Sequence, residues 1–221
     1  MGLFDFLNPR LNVIKGKIGY YGLEEWWKTA FTAEDRKFMV EECRSYMTKK
    51  DYLTTDELKE SFQYYNHYNT NLNAIQFLLG FSEQVNFLRQ DRLLSLIIIE
   101  KALEMATKQN DIFYQHIAYT LMISFCYYHR KNPLYFDKAM WACKQQIKMS
   151  HQAIREAGKK QANYCLYPTG FKQLAIVLEK HWKFQECIDL CIQADEQGWE
   201  GDWKKRIARC KKRQENWNKK R

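Results

Sequence analysis

Apolar residues recur every three to four positions along most of the chain, and no segment shows the strict apolar–polar alternation of a half-buried strand. This spacing places apolar side chains on one face of an α-helix. The segment from Leu93 to Ala106 is apolar on nearly all sides, so it is expected to be a central helix. The pattern therefore predicts an all-α protein.

Residues suited to helix N-termini mark the starts of several predicted helices. Thr32 and Asp111 each precede an apolar stripe, and their side-chain oxygens can accept hydrogen bonds from otherwise unpaired backbone N–H groups. Thr54 and Glu57 have the spacing of a capping box, in which side chain and backbone bond reciprocally. These positions divide the apolar stripes into separate helices.

Prolines indicate where later helices are separated. Asn132-Pro133 is expected to end one helix and begin the next, and Pro168 suits the first turn of another. We predict divergent N-terminal helices over residues 1–70, helical hairpins over 71–199 and a basic capping helix and tail over 200–221. With nine glycines, three prolines and no flexible tract between these parts, one continuous structural unit is expected.

The segment from Phe171 to Ala194 carries the most regular pattern of large and small residues. Its pattern positions are Phe171, Leu174, Ala175, Leu178, Phe184, Cys187, Ile188, Cys191 and Ala194. This order resembles a tetratricopeptide repeat, a pair of antiparallel helices that stacks into an α-solenoid. The resemblance implies that the small residues Ala175 and Cys187 meet where the two helices cross. It also implies a short stack of hairpins covered by a C-terminal capping helix.

The resemblance further implies a binding face. In this family the first helices of successive hairpins line a concave groove that binds peptides or partner helices. The residues expected to face the groove are Gln115, Tyr119, Met122, Lys172, Ile176, Glu179 and Lys180. Ordinary helix surface is the alternative for each of them. Such a groove favours an amphipathic or aromatic protein segment, with Lys172 and Lys180 attracting an acidic end.

The net charge of +9 arises at the C-terminus, since residues 204–221 contain ten Lys or Arg and one acid, Glu215. Several of these side chains could contact phosphates, and one tryptophan could stack on a base. The candidates are Lys204, Lys205, Arg206, Arg209, Lys211, Lys212, Arg213 and Trp217. The alternative is a solvated face of the capping helix. Nucleic-acid binding through the tail is therefore a second functional hypothesis.

Motifs that would indicate an enzyme are missing from the sequence. It contains no HExxH motif, no phosphate-binding glycine loop and no nucleophile elbow. Cys187 and Cys191 could supply two metal ligands, but both occupy packing positions of the repeat. We predict no catalytic residues, no metal and no cofactor. A small-molecule or nucleotide receptor remains a third hypothesis, because a pocket between helices needs no linear motif.

Cysteine usage and hydropathy bear on the cellular compartment. The seven cysteines are odd in number and form no CxxC pair, which favours a reducing cytoplasm. The stretch Leu93–Ile99 is far shorter than the roughly 20 residues of a membrane-spanning helix. The segment from Gly22 to Arg36 resembles one found in bacterial and phage proteins, so such an origin is expected. The sequence leaves the oligomeric state open.

Overall fold

The computed structural model describes residues 16–43, 73–88, 93–160 and 166–219. Within these ranges the chain forms ten α-helices and no strand, which confirms the predicted all-α class. The helices are α1 (Gly16–Tyr20), α2 (Glu24–Ala30), α3 (Ala33–Glu42), α4 (Ala74–Leu88), α5 (Leu94–Lys108), α6 (Ile112–Tyr128), α7 (Pro133–Lys160), α8 (Thr169–Lys180), α9 (Phe184–Glu196) and α10 (Trp203–Asn218).

Two of the predicted helix starts are confirmed by their hydrogen bonds. Thr32 Oγ1 accepts from the backbone N–H of Asp35 at 3.1 Å, and Asp35 Oδ2 accepts from the N–H of Thr32 at 3.2 Å. This is a complete capping box at the start of α3. The Asp111 carboxylate accepts from the N–H three residues later at 3.2 Å and so caps α6. Thr54 and Glu57 lie outside the described residues.

The chain divides into two compact units, Met1–Ile98 and Ile99–Arg221. The division falls inside α5, whereas the sequence pattern placed the start of the hairpins at residue 71. Of the predicted N-terminal range 1–70, the structure describes residues 16–43. The two units are described separately below.

Aromatic packing forms the core of the first unit. Trp27 of α2 packs against Phe31 and Phe81, with ring centroids 5.1 and 6.2 Å apart. Phe77 and Phe81, one turn apart on α4, stack at 5.7 Å, and Tyr21 lies 5.2 Å from Phe77. Such ring pairs add stability beyond the area they bury. They attach the short helices α1 and α2, together with the residues that follow them, to the longer α4.

Successive helices of the second unit pack as neighbours. The α6 helix packs on α7, α8 packs on both α6 and α7, and α9 packs on α8 and α10. The connections at residues 129–132 and 181–183 are short, which makes the helices they join antiparallel. This order of neighbouring pairs is consistent with a helical repeat arrangement.

The helix crossing predicted in the last hairpin is confirmed. Cys187 Sγ lies 3.4 Å from the carbonyl oxygen of Ala175, and both residues are fully buried. The surrounding core consists of Phe171, Phe184, Ile188, Cys191, Ala194, Trp199, Trp203 and Cys210. Small residues at the crossing allow the two backbones to approach, and the larger residues fill the space around them.

The side chain of Gln146 joins three helices of the second unit. Its Nε2 donates to the carbonyl oxygen of His116 at 3.0 Å and to Thr120 Oγ1 at 2.6 Å, and its Oε1 accepts from the N–H of Gly170 at 2.6 Å. A Cβ atom on Gly170 would lie only 2.8 Å from the carbonyl oxygen of Cys143. The close contact between α7 and α8 therefore requires glycine at this position.

Candidate functional site

Two of the predicted groove residues, Tyr119 and Met122, lie in an open groove of about 490 Å³. Its described lining comes from the Ile99–Lys108 part of α5, from α6 and from α7. The lining residues are Glu100, Leu103, Glu104, Thr107, Lys108, Tyr119, Met122, Lys138 and Trp141. Met122 and Tyr119 are 1% and 7% exposed and form its floor, whereas Trp141 is 45% exposed. The rings of Tyr119 and Trp141 meet edge to face at 5.7 Å.

The charged residues at the edge of this groove are paired with one another. Lys138 of α7 forms an ion pair with Glu100 of α5. Lys101 and Lys108 lie 3.0 and 2.5 Å from the carboxylate of Glu104, and their hydrogen bonds lower the pKa of that carboxyl below its usual value. Both signs of charge thus flank an apolar floor, and neither sign dominates.

The remaining predicted groove residues lie elsewhere. Gln115 is buried, and its Nε2 donates to the carbonyl oxygen of Ala106 at 3.3 Å. On α8, Lys172 and Lys180 are exposed and Ile176 is half-buried. None of these three belongs to the described lining of the groove. Gln115 on α6 contacts α5 through its hydrogen bond to Ala106, and the described lining of the groove includes no residue of α8.

Trp141 and Leu103 were not among the residues predicted for the groove. The resemblance assigned the groove to the first helices of hairpins. Trp141, however, lies on α7, the second helix of its hairpin, and Leu103 lies on α5, which precedes that hairpin. One signal in the sequence could have found Trp141. It lies away from the buried stripe of α7, which includes Ala139, Ala142 and Cys143, and a large aromatic residue on a polar face often marks an interaction site.

The structure places Glu179 beneath the C-terminal helix, which corrects its expected position in an open groove. Only 7% of Glu179 is exposed. Its carboxylate accepts hydrogen bonds from Arg206 Nη1 at 2.7 Å, Arg209 Nε at 2.7 Å and Arg213 Nη1 at 3.1 Å. The hydrogen bond from Arg209, aided by the charges of Arg209 and Arg206, lowers the pKa of Glu179 to about 2. Glu179 therefore attaches α10 to α8.

The arginines and the lysines of α10 have different surroundings. The three arginines bind Glu179, and Arg206 is also within 3.4 Å of Asp202. The four lysines of the predicted set are exposed, and they are Lys204, Lys205, Lys211 and Lys212. The expectation that the arginines lie in water is corrected for Arg206, which is buried, whereas the side chains of Arg209 and Arg213 bind Glu179 while remaining 44% and 39% exposed.

Trp217, the proposed base-stacking residue, packs against another tryptophan. Its ring lies 4.9 Å from that of Trp182, and both residues remain about half exposed. The guanidinium of Arg213 lies over the rings of Trp182 and Phe184, at 5.2 and 5.1 Å from their centroids. These contacts hold the end of α10 against the turn between α8 and α9.

Cysteine and histidine side chains occupy the core of the second unit. Cys187 Sγ and Cys210 Sγ lie 3.6 Å apart, and burial raises the pKa of Cys210 to about 12. His116 is 1% exposed and stacks on Trp199 at 5.6 Å, and burial lowers its pKa to about 4. No group of three potential metal ligands occurs within the described ranges.

No helix in the described part of the chain has the length and apolar character needed to cross a membrane. Comparisons with protein-family models, with curated proteins and with solved structures found no match to this chain. The resemblance to tetratricopeptide repeats therefore stays a prediction from the sequence.

Proposed function

We propose that the protein is a non-catalytic interaction protein that binds a segment of a partner protein in the groove between α5, α6 and α7. The observation that carries this proposal is the position of Trp141. It is 45% exposed at the edge of the groove, where its ring extends the apolar floor formed by Tyr119 and Met122. Half-exposed aromatic residues beside an apolar groove are typical of protein-binding surfaces.

An amphipathic helix fits this groove best. The volume of about 490 Å³ accommodates a few large side chains, such as those spaced three or four residues apart on one helix face. Leu134 is 75% exposed and lies seven residues before Trp141, so the two side chains share a face of α7 on which Lys138 lies between them. The paired charges around the groove favour a ligand that carries both signs of charge on its edges.

Peptide selection tests the proposal. Peptides of about 15 residues are selected from a displayed random library with the purified protein, and their affinities are measured by fluorescence polarisation. Truncation of a central aromatic contact typically costs 2 kcal/mol or more, so Trp141→Ala is expected to weaken the selected peptides roughly thirtyfold. Tyr167→Ala is the matched control, because Tyr167 is also an exposed aromatic residue, at 60%.

A second comparison separates the groove from the face predicted on α8. The variant carrying Lys172→Glu and Lys180→Glu is expected to bind the selected peptides as the unaltered protein does, since neither lysine lines the groove. Loss of binding in this variant together with full binding in Trp141→Ala would place the partner on α8. Failure to select any peptide that depends on Trp141 would reject the groove.

The outward lysines of α10 support a second candidate function, the binding of RNA or DNA. Lys204, Lys205, Lys211 and Lys212 are exposed, while the neighbouring arginines are held by Glu179. Deleting the tail after Gly201 would be a poor test, because it removes the buried residues Trp203 and Cys210 from the core. Substitution of the four lysines by glutamine leaves that core intact.

Binding of a single-stranded RNA is then measured against salt concentration. Each phosphate contact contributes about 0.7 to the slope of log K against log salt, so loss of four contacts is expected to reduce the slope by about 3. The control variant carries Lys144→Gln and Lys148→Gln, two exposed positions on α7. If the slope of log K against log salt is unchanged in the four-lysine variant, these lysines do not contact RNA and only form a solvated face of the helix.

A further inference from the structure

A pocket of about 600 Å³ lies at the turn between α6 and α7. Its described lining residues are Tyr128, His129, Arg130, Lys131, Asn132 and Tyr135. Two of these six residues carry positive charge, and none of them is Asp or Glu. The pocket shares no described lining residue with the groove proposed above, so the two sites can be tested independently.

Three ring-bearing residues, Tyr128, His129 and Tyr135, belong to the lining of the pocket. The ring of His129 packs against Phe125 at 4.7 Å, against Tyr128 at 5.0 Å and against Tyr135 at 6.0 Å. This packing fixes the side chains around His129, but Tyr128 remains 63% exposed. An exposed ring on a fixed support presents a flat face on which a planar ligand can stack.

Arg130 and Lys131 add hydrogen-bond donors and positive charge to the lining of the pocket. Arg130 Nη1 donates to the carbonyl oxygen of Tyr127 at 3.0 Å, and the guanidinium lies 4.6 Å from the centre of the Tyr127 ring. These contacts fix the Arg130 guanidinium beside Tyr127, and both Arg130 and Lys131 are exposed lining residues of the pocket. The long helix α7 begins at Pro133, so the positive end of its dipole lies here as well.

One buried polar atom lies among these groups. The Nε2 atom of His129 is buried and has no hydrogen-bond partner within the described part of the chain. Buried polar atoms are normally paired, and an unpaired one often indicates an ordered water or ion. An exposed ring, two cations and a nearby helix N-terminus, gathered at one pocket, suit a ligand with a flat ring and an anionic group.

We propose that this pocket binds a nucleoside phosphate, either as a free nucleotide or as the terminal nucleotide of an RNA strand. The base stacks on Tyr128, and the phosphate binds Arg130 and Lys131 beside the first turn of α7, where the N–H of Leu134 already donates to Asn132 Oδ1 at 3.0 Å. Arginine and lysine provide charge-assisted hydrogen bonds to phosphate oxygens, and the helix N-terminus adds a favourable dipole. The stacking and the charge contacts act on different parts of the ligand, so they can be separated by experiment.

Isothermal titration calorimetry with AMP, adenosine and inorganic phosphate separates the two contributions. AMP is expected to bind at least about tenfold more tightly than adenosine or phosphate, because only AMP makes both sets of contacts. Tyr128→Ala is expected to weaken AMP binding about tenfold and to leave phosphate binding unchanged. The variant carrying Arg130→Glu and Lys131→Glu is expected to lose AMP binding.

The matched control carries Lys144→Glu and Lys148→Glu, which changes the net charge equally at exposed positions further along α7. This control is expected to bind AMP as the unaltered protein does. Circular dichroism verifies the fold of each variant, and the high exposure of Tyr128 makes Tyr128→Ala the variant least disturbing to the core. Equal loss of AMP binding in the control would show that AMP binding responds to the net charge of the protein and not to Arg130 and Lys131 in particular, and it would overturn the proposal.

A 5′-phosphorylated RNA pentamer distinguishes the two sources of the ligand. Tighter binding of the pentamer than of AMP supports an RNA end, and equal or weaker binding supports a free nucleotide. Absence of AMP binding at millimolar concentration overturns the proposal. Phosphate binding as tight as AMP binding, with no effect of Tyr128→Ala, also overturns it, because the pocket would then bind only an anion.

Discussion

Arg209 donates two hydrogen bonds to Glu179, from Nε to Oε1 at 2.7 Å and from Nη2 to Oε2 at 2.9 Å. This two-point contact joins α10 to α8, and Arg206 and Arg213 complete it. Planar guanidinium and carboxylate groups match in geometry, which fixes the orientation of the helix as well as holding it. One buried acid thus joins the C-terminal helix to α8, in addition to the packing of Trp203 and Cys210 in the core.

Replacement of Glu179 is therefore expected to destabilise the second unit strongly. Glu179→Gln removes the charge that compensates three arginines, of which Arg206 is buried, and we expect a loss of about 2–4 kcal/mol in the free energy of unfolding. Urea denaturation measures this loss. Glu186→Gln is the control, because its ion pair with Lys183 is more than half exposed and is worth less than about 1 kcal/mol. Equal losses in the two variants would contradict the role assigned to Glu179.

The same carboxylate predicts a loss of stability in acid. Its pKa is about 2 in the folded protein and near the ordinary 4.5 in the unfolded chain. The unfolded chain therefore takes up the proton first, so the stabilisation is fully present above pH 4.5 and is lost as the pH falls towards 2. The melting temperature, measured between pH 5 and pH 2, should decline less steeply with falling pH in Glu179→Gln than in the unaltered protein. Parallel declines would contradict this assignment.

The buried ring of His116 predicts a second loss of stability as the pH falls, in a higher pH range than the loss due to Glu179. Burial lowers its pKa to about 4 from the ordinary value of 6.5, so the folded protein keeps the ring neutral while the unfolded chain binds a proton. Stability is therefore expected to fall from pH 6.5 towards pH 4, by up to about 1.4 kcal/mol per pH unit. Urea denaturation at pH 7.5 and pH 5 measures the effect.

The control for this second loss replaces an exposed histidine. His116→Phe keeps a ring beside Trp199 and is expected to remove most of the decline between the two pH values. His151→Phe alters a residue on the surface of α7 and is expected to leave the decline in place. A decline that survives His116→Phe would assign the pH dependence to another group.

The sequence predicted those parts of the fold that depend on local spacing. The helical period, the caps at Thr32 and Asp111 and the meeting of Ala175 with Cys187 are all properties of short segments. Periodicity identifies which face of a helix is buried, but it does not identify the neighbour that covers this face. For that reason Glu179 was expected in an open groove, although α10 covers it.

One pattern in the sequence could have corrected this expectation. Arg206, Arg209 and Arg213 are spaced three and four residues apart and so lie on one side of a helix, while the neighbouring Lys204, Lys205, Lys211 and Lys212 lie towards the other side. Arginine is the residue preferred for buried ion pairs, because its planar group bonds a carboxylate at two points. The separation of arginine from lysine along α10 thus indicated a packed side and a solvent side.

The close contact between α7 and α8 gives the last prediction. Gly170→Ala would place a methyl group 2.8 Å from the carbonyl oxygen of Cys143 and 2.9 Å from Gln146 Oε1, which is also the acceptor for the N–H of residue 170. Overpacking of this kind costs about 1–3 kcal/mol. Gly158→Ala is the control within α7, because no atom lies within 4 Å of the added Cβ and alanine favours a helix by about 1 kcal/mol. Opposite signs of the two changes in unfolding free energy are therefore expected, and destabilisation by both would contradict the packing described at Gly170.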